Sequence, residues 1–508
     1  MTEPSHRAAR PASRPESAKH SQDWPTLDKD LGRMSLIESA AIYTSRPLIG
    51  VGISLLFIAV VAAIVAFATG GLQGTLTIAL AAAFAAYMAL NIGANDVANN
   101  MGPAVGANAL SMAGAIAIAA VCETAGALLA GGEVVSTISS GIIAQSEITG
   151  SVHFVQAMMA AMLAAAIWIN TATWMGAPVS TTHAVVGGVM GAGIAAAGFG
   201  TVNWATMGTI AASWVISPIM GGVIAAAVLA FIKWKIMYVP DRIAAARVWL
   251  PVLIGVMAGT FACYLALKGL RQVIHLDLRE AALIGLGAGL LCWLAAVPLV
   301  RRQSRGMENR NASLKVLFRL PLVISAALLS FAHGANDVAN AVGPLGAIVR
   351  ALQSEETAAQ MSVIPYWVLM IGALGISCGL VFFGPRMIRM VGSQITKLNP
   401  MRAYCVALSA ALTVILASWL GLPVSSTHIA VGGVFGVGFF REWYVARRAS
   451  TGAGPKRAAK PMPIEERQRR KLVRRSHFMT IIAAWLVTVP ASALLSALCF
   501  LLIAALFG

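Results

Sequence analysis

Charge is what this sequence has least of. Only 11% of its 508 residues are Asp, Glu, Lys or Arg, where a soluble chain of this length carries roughly a quarter. That shortage excludes a water-facing surface over most of the chain. Between Arg46 and Lys233 there is no basic residue at all, and the same stretch holds only four acids, Asp96, Glu123, Glu133 and Glu147. Cysteine is sparse too. The six (Cys122, Cys263, Cys292, Cys378, Cys405, Cys499) lie in or beside apolar runs without C-x-x-C spacing, which excludes a disulfide framework and a zinc site and leaves them as small core residues. No cleavable signal peptide is expected, because the first apolar run begins only near Pro47 and continues for a full span. Alternating hydrophobicity is missing as well, which excludes a β-barrel.

What remains is apolar and rich in glycine: 58% hydrophobic, with 48 Gly. Runs of about 20 apolar residues recur along the chain, the length needed to cross a bilayer as a helix. The fold class is therefore an all-α polytopic membrane protein with about 12–13 transmembrane segments. The expected spans are 48–70, 73–92, 110–131, 153–175, 205–231, 250–268, 281–299, 320–333, 361–384, 403–421 and 479–506. Two further apolar stretches, 178–198 and 423–440, open with Pro and are crowded with Gly. They suit broken or re-entrant helices, which survive at membrane depth where protein or a wet cavity surrounds them.

The formal net charge of +17 raises the question of nucleic acid, and its placement answers it. The basic residues gather in short loops, Arg301–Arg319, Arg386–Arg402 and above all Arg441–Arg475, with no aromatic-interleaved basic face. This is positive-inside topology, with attraction to anionic lipid heads, and no nucleic acid is expected. Placing 233–249, 300–319, 386–402 and 441–478 in the cytoplasm is self-consistent if each broken segment crosses. Counting back then inverts the two halves relative to each other and puts the N-terminus inside.

One heptapeptide occurs twice without change, Gly93-Ala94-Asn95-Asp96-Val97-Ala98-Asn99 and Gly334-Ala335-Asn336-Asp337-Val338-Ala339-Asn340. Each copy follows an apolar run, so each is expected at a helix end or break. A second motif follows each: Pro178-Val179-Ser180-Thr181-Thr182-His183 and Pro423-Val424-Ser425-Ser426-Thr427-His428, each running on into Gly-Gly-Val-x-Gly-x-Gly. Eleven of the sixteen positions agree. The repeats bound the organisation. Residues 1–47 form a disordered cytoplasmic tail with a short surface helix over Leu27–Tyr43, and 48–70 is an extra leading span. Transport repeats cover 73–231 and 320–506, the second holding a basic cytoplasmic insert, 441–478. The linking region, 232–319, carries two spans.

Ionisable groups at membrane depth are costly and mark function. Asp96, Asn95, Asn99, Asp337, Asn336 and Asn340 offer the oxygen ligands that a hard monovalent cation takes; the bland alternative is that they cap helix ends. Ser180, Thr181, Thr182, Ser425, Ser426 and Thr427 stand where half-helices start, with Pro suited to a first turn. Their hydroxyls and free N–H groups, at the positive dipole end, suit a tetrahedral oxyanion. His183 and His428 would orient these turns by hydrogen bonds. Glu123, without a counterpart in the second half, ranks below the aspartates as a proton or cation ligand. Neutral donors beside two carboxylates hold an anion poorly unless cations or protons cancel the charge. Co-binding of cation and anion, the basis of symport, follows, with Na⁺ and H⁺ both open and no resident cofactor.

The paired G-A-N-D-V-A-N and P-V-S-[ST]-T-H motifs closely resemble those of the PiT family of inorganic phosphate transporters, over about 73–506. The resemblance implies a dimeric secondary transporter with inverted repeats, moving phosphate with Na⁺ or H⁺ through the bacterial inner membrane. Bacterial members also carry phosphate as a neutral metal complex, and a minority of members carry sulfate. It implies cation binding at Asp96, Asn95, Asp337 and Asn336, and phosphate at the hydroxyls of both P-V-S motifs. The leading span and the insert depart from the simplest family pattern. Two other classes compete. An intramembrane Ser–His–Asp hydrolase needs one triad, not a duplicated set. A passive anion channel would not need the aspartates.

Overall fold

The computed structural model describes residues 49–70, 74–143, 148, 151–177, 179–269, 276–352, 364–394, 398–450 and 475–507. The expected tail over 1–47, the middle of the basic insert (451–474) and Pro178 lie outside the described residues. The helices are α1 (Ile49–Ala68), α2 (Thr75–Gly106), α3 (Met112–Ala130), α4 (Gly132–Ser140), α5 (Ser151–Met175), α6 (Thr181–Ala197), α7 (Trp204–Ile232) and α8 (Arg242–Tyr264). There follow α9 (Leu278–Gln303), α10 (Asn311–Leu317), α11 (Arg319–Ala351), α12 (Tyr366–Phe382), α13 (Gly384–Gln394), α14 (Pro400–Trp419), α15 (Ser426–Ser450) and α16 (Arg475–Phe507). Among the described residues there is no strand, only an isolated bridge between Ile143 and Val202. Ten of the described helical segments are long and apolar enough to cross a membrane, and α6 and α12 are shorter apolar helices. In hydrocarbon every backbone group must be satisfied within its own segment, which is why so apolar a chain is helical throughout.

The helices that bear the heptapeptides are among the buried ones. The most apolar window of α2 is 72% buried, against 17% for α9 in the linking region. A helix enclosed by protein can carry Asn and Asp; one facing lipid cannot. This corrects an expectation. Neither heptapeptide lies at a helix end: α2 runs for 32 residues and α11 for 33, each straight through its motif. The fall in hydropathy at Asn95-Asp96 marks a change from lipid-like to protein surroundings, not a terminus, and helix capping does not explain these residues. Two short helices, α4 and α13, were also not anticipated behind the spans at 110–131 and 361–384; α4 starts at the Gly131–Gly132 break.

The halves pack through exchanged contacts. A Cβ at Gly93 in α2 would run into the carbonyl oxygen of Ile376 in α12, and one at Gly334 in α11 into that of Glu123 in α3. Gly126 stands likewise against the Phe331 carbonyl, and Gly379 against that of Leu90. Each contact returns with the halves swapped, as an approximate two-fold axis produces. Small residues permit such backbone approach where apolar burial gives no drive between helices. Counterparts that touch each other must lie on that axis. Thr124 Oγ1 and Ser377 Oγ are 2.6 Å apart, and the rings of His183 and His428 meet at 4.4 Å.

The basic segments gather at one end of the molecule. Asn309 Nδ2 donates to the Pro240 carbonyl at 2.7 Å, and the Arg247 guanidinium to Ser304 Oγ at 2.7 Å. Tyr238 stacks on Tyr444, and Phe318 contacts Tyr404.

Candidate functional site

The site is built where α2 and α11 carry Asp96 and Asp337 to the axis. Both carboxylates are buried, at 1% and 0% exposure. Thr181, the first residue of α6, spans the two: its Oγ1 donates to Asp96 Oδ2 at 2.8 Å and lies 3.5 Å from Asp337 Oδ2. From the other half, Thr427 Oγ1 reaches Asp96 Oδ1 at 3.4 Å. The expected carboxylates and hydroxyls thus share one cluster.

The half-helix starts are present, with their caps. Ser180 Oγ accepts the N–H of His183 at 3.2 Å, and Ser425 Oγ that of His428 at 3.3 Å, each three residues on as an N-cap requires. The helices therefore begin at Thr181 and Ser426, and Pro423 precedes the cap instead of filling a first turn. The first turns are held crosswise. Asn99 Nδ2 of the first half donates to Thr427 Oγ1 at 2.8 Å, and Asn340 Nδ2 of the second half donates to Thr182 Oγ1 at 3.0 Å. Thr182 Oγ1 in turn donates to the Val424 carbonyl at 2.9 Å, and Asn336 Nδ2 donates to that same oxygen at 3.2 Å. Two helix N-termini, each adding partial positive charge and free N–H groups, thus meet over two carboxylates. Ser426 Oγ, Asp337 Oδ1 and Asn340 Oδ1 are buried without a hydrogen-bond partner. Buried polar atoms of that kind call for an explanation. The acceptors suit a cation, the hydroxyl an oxyanion.

The profile of a family described as "Phosphate transporter family" matches residues 92–496. This chain belongs to the phosphate transporter family. Two proteins named "Putative phosphate permease" are among its relatives. The one from Helicobacter pylori (strain 26695) is 42% identical over 80% of this chain and 86% of its own length; the one from Chlamydia trachomatis serovar D is 36% identical over 82% and 95%. A solved structure, "The sodium-dependent phosphate transporter", superposes with a TM-score of 0.74 at 33% identity, covering 85% of this chain and all of that one. The chain is accordingly a multi-pass membrane transporter and not an enzyme.

In this phosphate transporter family member, the cluster also holds a histidine that sequence reading passed over, with Glu123 beside it. His333 is fully buried, its Nε2 lies 2.9 Å from Asp337 Oδ2 and 3.8 Å from Asp96 Oδ2, and its Nδ1 lies 3.4 Å from Glu123 Oε2. Asp96, His333 and Asp337 bring ligand atoms within 4.8 Å of one another. Glu123 Oε1 accepts from Asn100 Nδ2 at 2.9 Å. A signal was available: His333 immediately precedes the second heptapeptide, where the first has Ile92. Asn95, by contrast, turns its amide N–H to Thr173, donating at 2.9 Å. His183 and His428 bond the Ser turns through their backbone N–H groups while their rings face each other.

Proposed function

We propose that this transporter imports inorganic phosphate by symport with a cation across the bacterial inner membrane. The reading assigns the cation to Asp96, Asp337, Asn99, Asn340 and the neighbouring Asn95 and Asn336. Phosphate goes to the hydroxyls and N–H groups of Ser180, Thr181, Thr182, Ser425, Ser426 and Thr427. One observation carries it: Thr181, on the anion-binding turn, is hydrogen-bonded to Asp96 and within 3.5 Å of Asp337. An anion held by that turn stands against two buried carboxylates, and like charges in a shared site repel strongly. Bound cations relieve the repulsion, so each solute raises the other's affinity by the same factor.

Na⁺ is the first cation to test. The symmetric donors are all oxygens from both halves, and the similar solved structure is that of a sodium-dependent phosphate transporter. Proton coupling is the second reading, and His333 favours it, because an imidazole between carboxylates is a ready proton acceptor. Carriage as a neutral metal–phosphate complex fits the Asp96–His333–Asp337 grouping. Movement would follow the inverted-repeat scheme, in which one bundle rocks against the other about a site at the repeat interface.

The test is radiolabelled phosphate uptake into proteoliposomes under an imposed Na⁺ gradient and, separately, a proton gradient. Sulfate and a divalent-metal chelator are added in parallel. Uptake driven by Na⁺, indifferent to sulfate and chelator and lost in Asp96→Asn/Asp337→Asn, is the expected result. Uptake blocked by sulfate moves the substrate class, and uptake indifferent to both gradients and to the aspartates sinks the coupling.

A further inference from the structure

The packing of α7 against α15 leaves a long apolar groove on the outside of the molecule. Along α7 it is lined by Trp214, Pro218, Gly222 and Ala226, and along α15 by Gly432, Phe435, Gly436, Phe439 and Trp443. The α7 set advances by four residues and the α15 set falls at i, i+3, i+4, i+7 and i+11, so each is one stripe of a helix. The groove has a volume of about 780 Å³. Its floor is backbone. A Cβ at Gly432 would strike the Pro218 carbonyl and one at Gly436 that of Gly222, so the two helices touch at glycines while large side chains rise on either side.

At one end the groove meets positive charge. Lys233 Nζ sits 5.0 Å from the ring of Phe440, which also lines the groove, and 4.4 Å from that of Tyr444. The Arg447 guanidinium lies 5.3 Å from the ring of Trp443. Arg441 is on the same helix, whose single acid is Glu442. This is the end where the basic segments gather. Trp and Tyr at such a level fit the bilayer interface, with charge toward the headgroups and apolar walls toward the acyl chains.

The counterpart of α15 in the first half, α6, carries different residues along this stripe. In the register that aligns the two P-V-S motifs, Phe435, Phe439, Phe440 and Trp443 stand opposite Met190, Ile194, Ala195 and Gly198. The first-half helix α6 ends at Ala197, whereas α15 continues to Ser450 and carries the arginines. Transport by two matched halves does not require such a difference. At its far end the groove reaches Trp214, whose ring lies on His183 directly behind the hydroxyl turn.

We infer that this groove is a binding site for one anionic phospholipid, its acyl chains over the glycine floor and its phosphate at the exposed Arg447, with the buried Lys233 adding positive charge behind it. An acyl chain matches an almost wholly apolar trough open to the bilayer, and an anionic headgroup matches the cations at its mouth. The test is native mass spectrometry of the full-length chain, purified in mild detergent and titrated with phosphatidylglycerol or with phosphatidylcholine of the same chain length. The wild-type protein is expected to hold one phosphatidylglycerol per protomer and to prefer it over phosphatidylcholine. Ala226→Phe, which fills the trough, abolishes that binding. Arg447→Gln weakens it roughly fivefold, the worth of one basic group near an anionic headgroup, and needs no change in packing. Equal retention of both lipids, or phosphatidylglycerol binding untouched by both variants, overturns the proposal. So does a wild-type dimer that Ala226→Phe splits into protomers, which gives the groove to a second copy of the chain.

Discussion

The two halves of this transporter share their motifs and differ at their centre. Gly93 and Gly334 make matching contacts across the axis, as do Asn99 and Asn340, while Asp96 and Asp337 hold equivalent positions in the two heptapeptides. One residue before each heptapeptide the match fails, with Ile92 in the first half and His333 in the second. It fails again in the helices that pack on these, where Glu123 stands in α3 and Ile376 in α12, each under the other half's glycine. The two departures meet, since His333 Nδ1 is 3.4 Å from Glu123 Oε2. The site thus holds three carboxylates and the His333 imidazole, of which Glu123 and His333 have no counterpart in the other half. If all three acids ionise, at least two negative charges remain whatever the state of His333. The matched parts can hold solute in equivalent ways, and the unmatched pair gives the site a fixed polarity.

The largest effect should come from breaking the matched pair. Asp96→Asn and Asp337→Asn, made singly, are each expected to cut gradient-driven phosphate uptake on the order of a hundredfold or more. Even the outer partners of a bound cation are worth about 10–100-fold. Measured uptake that survives in one variant but not the other would show that only one half carries the cation. Next comes the unmatched pair. Glu123→Ile strands Asn100 Nδ2 and removes the carboxylate beside His333 Nδ1, and a buried polar group left unpaired costs about 1–3 kcal/mol. Glu123→Ile/His333→Ile restores the apolar pairing of Ile92 and Ile376, so its melting temperature in detergent should recover part of that loss while uptake stays low. A double variant less stable than both singles would mean the pair does not act as a unit.

Much of this was legible in the chain. Duplication of whole motifs, carboxylates included, pointed to a two-part site, and the hydroxyls of Thr181 and Thr427 do stand on Asp96. The heptapeptides misled about helix ends because hydropathy reports the solvent of a segment, and α2 and α11 are solvated by protein. Glu123 ranked below the aspartates for lacking a counterpart, and its place beside His333 could not be read from the chain. Its partner lies 210 residues on in the chain, and no spacing within either half relates them. The crossed bonds of Asn99 and Asn340 were hidden for the same reason, as they join residues more than 150 apart.

Smaller than the charge variants is the backbone approach that makes the halves fit. Gly93→Ala and Gly334→Ala each press a methyl into a carbonyl of the facing helix, and overpacking of that kind costs about 1–3 kcal/mol. Because the contacts are counterparts, the two variants should lower the melting temperature alike. A Gly334→Ala loss well above that of Gly93→Ala would place extra rigidity around Glu123.

The smallest effect separates the two crossed amides. Asn340→Ala removes a single bond, to Thr182, and hydrogen bonds inside membrane proteins average about 0.6 kcal/mol. That is roughly a threefold rise in the KM for phosphate, with the dependence on the cation unchanged. Asn99→Ala removes the equivalent bond to Thr427, but Asn99 Nδ2 also lies 3.5 Å from Asp96 Oδ1. The same substitution on this side should therefore shift both constants, phosphate by a similar factor and the cation with it. Uptake measured over both concentrations in each variant reads the difference directly. If Asn340→Ala moves the cation constant as much as Asn99→Ala does, the cation sits midway between the halves, and the polarity set by His333 and Glu123 is not felt at the amides.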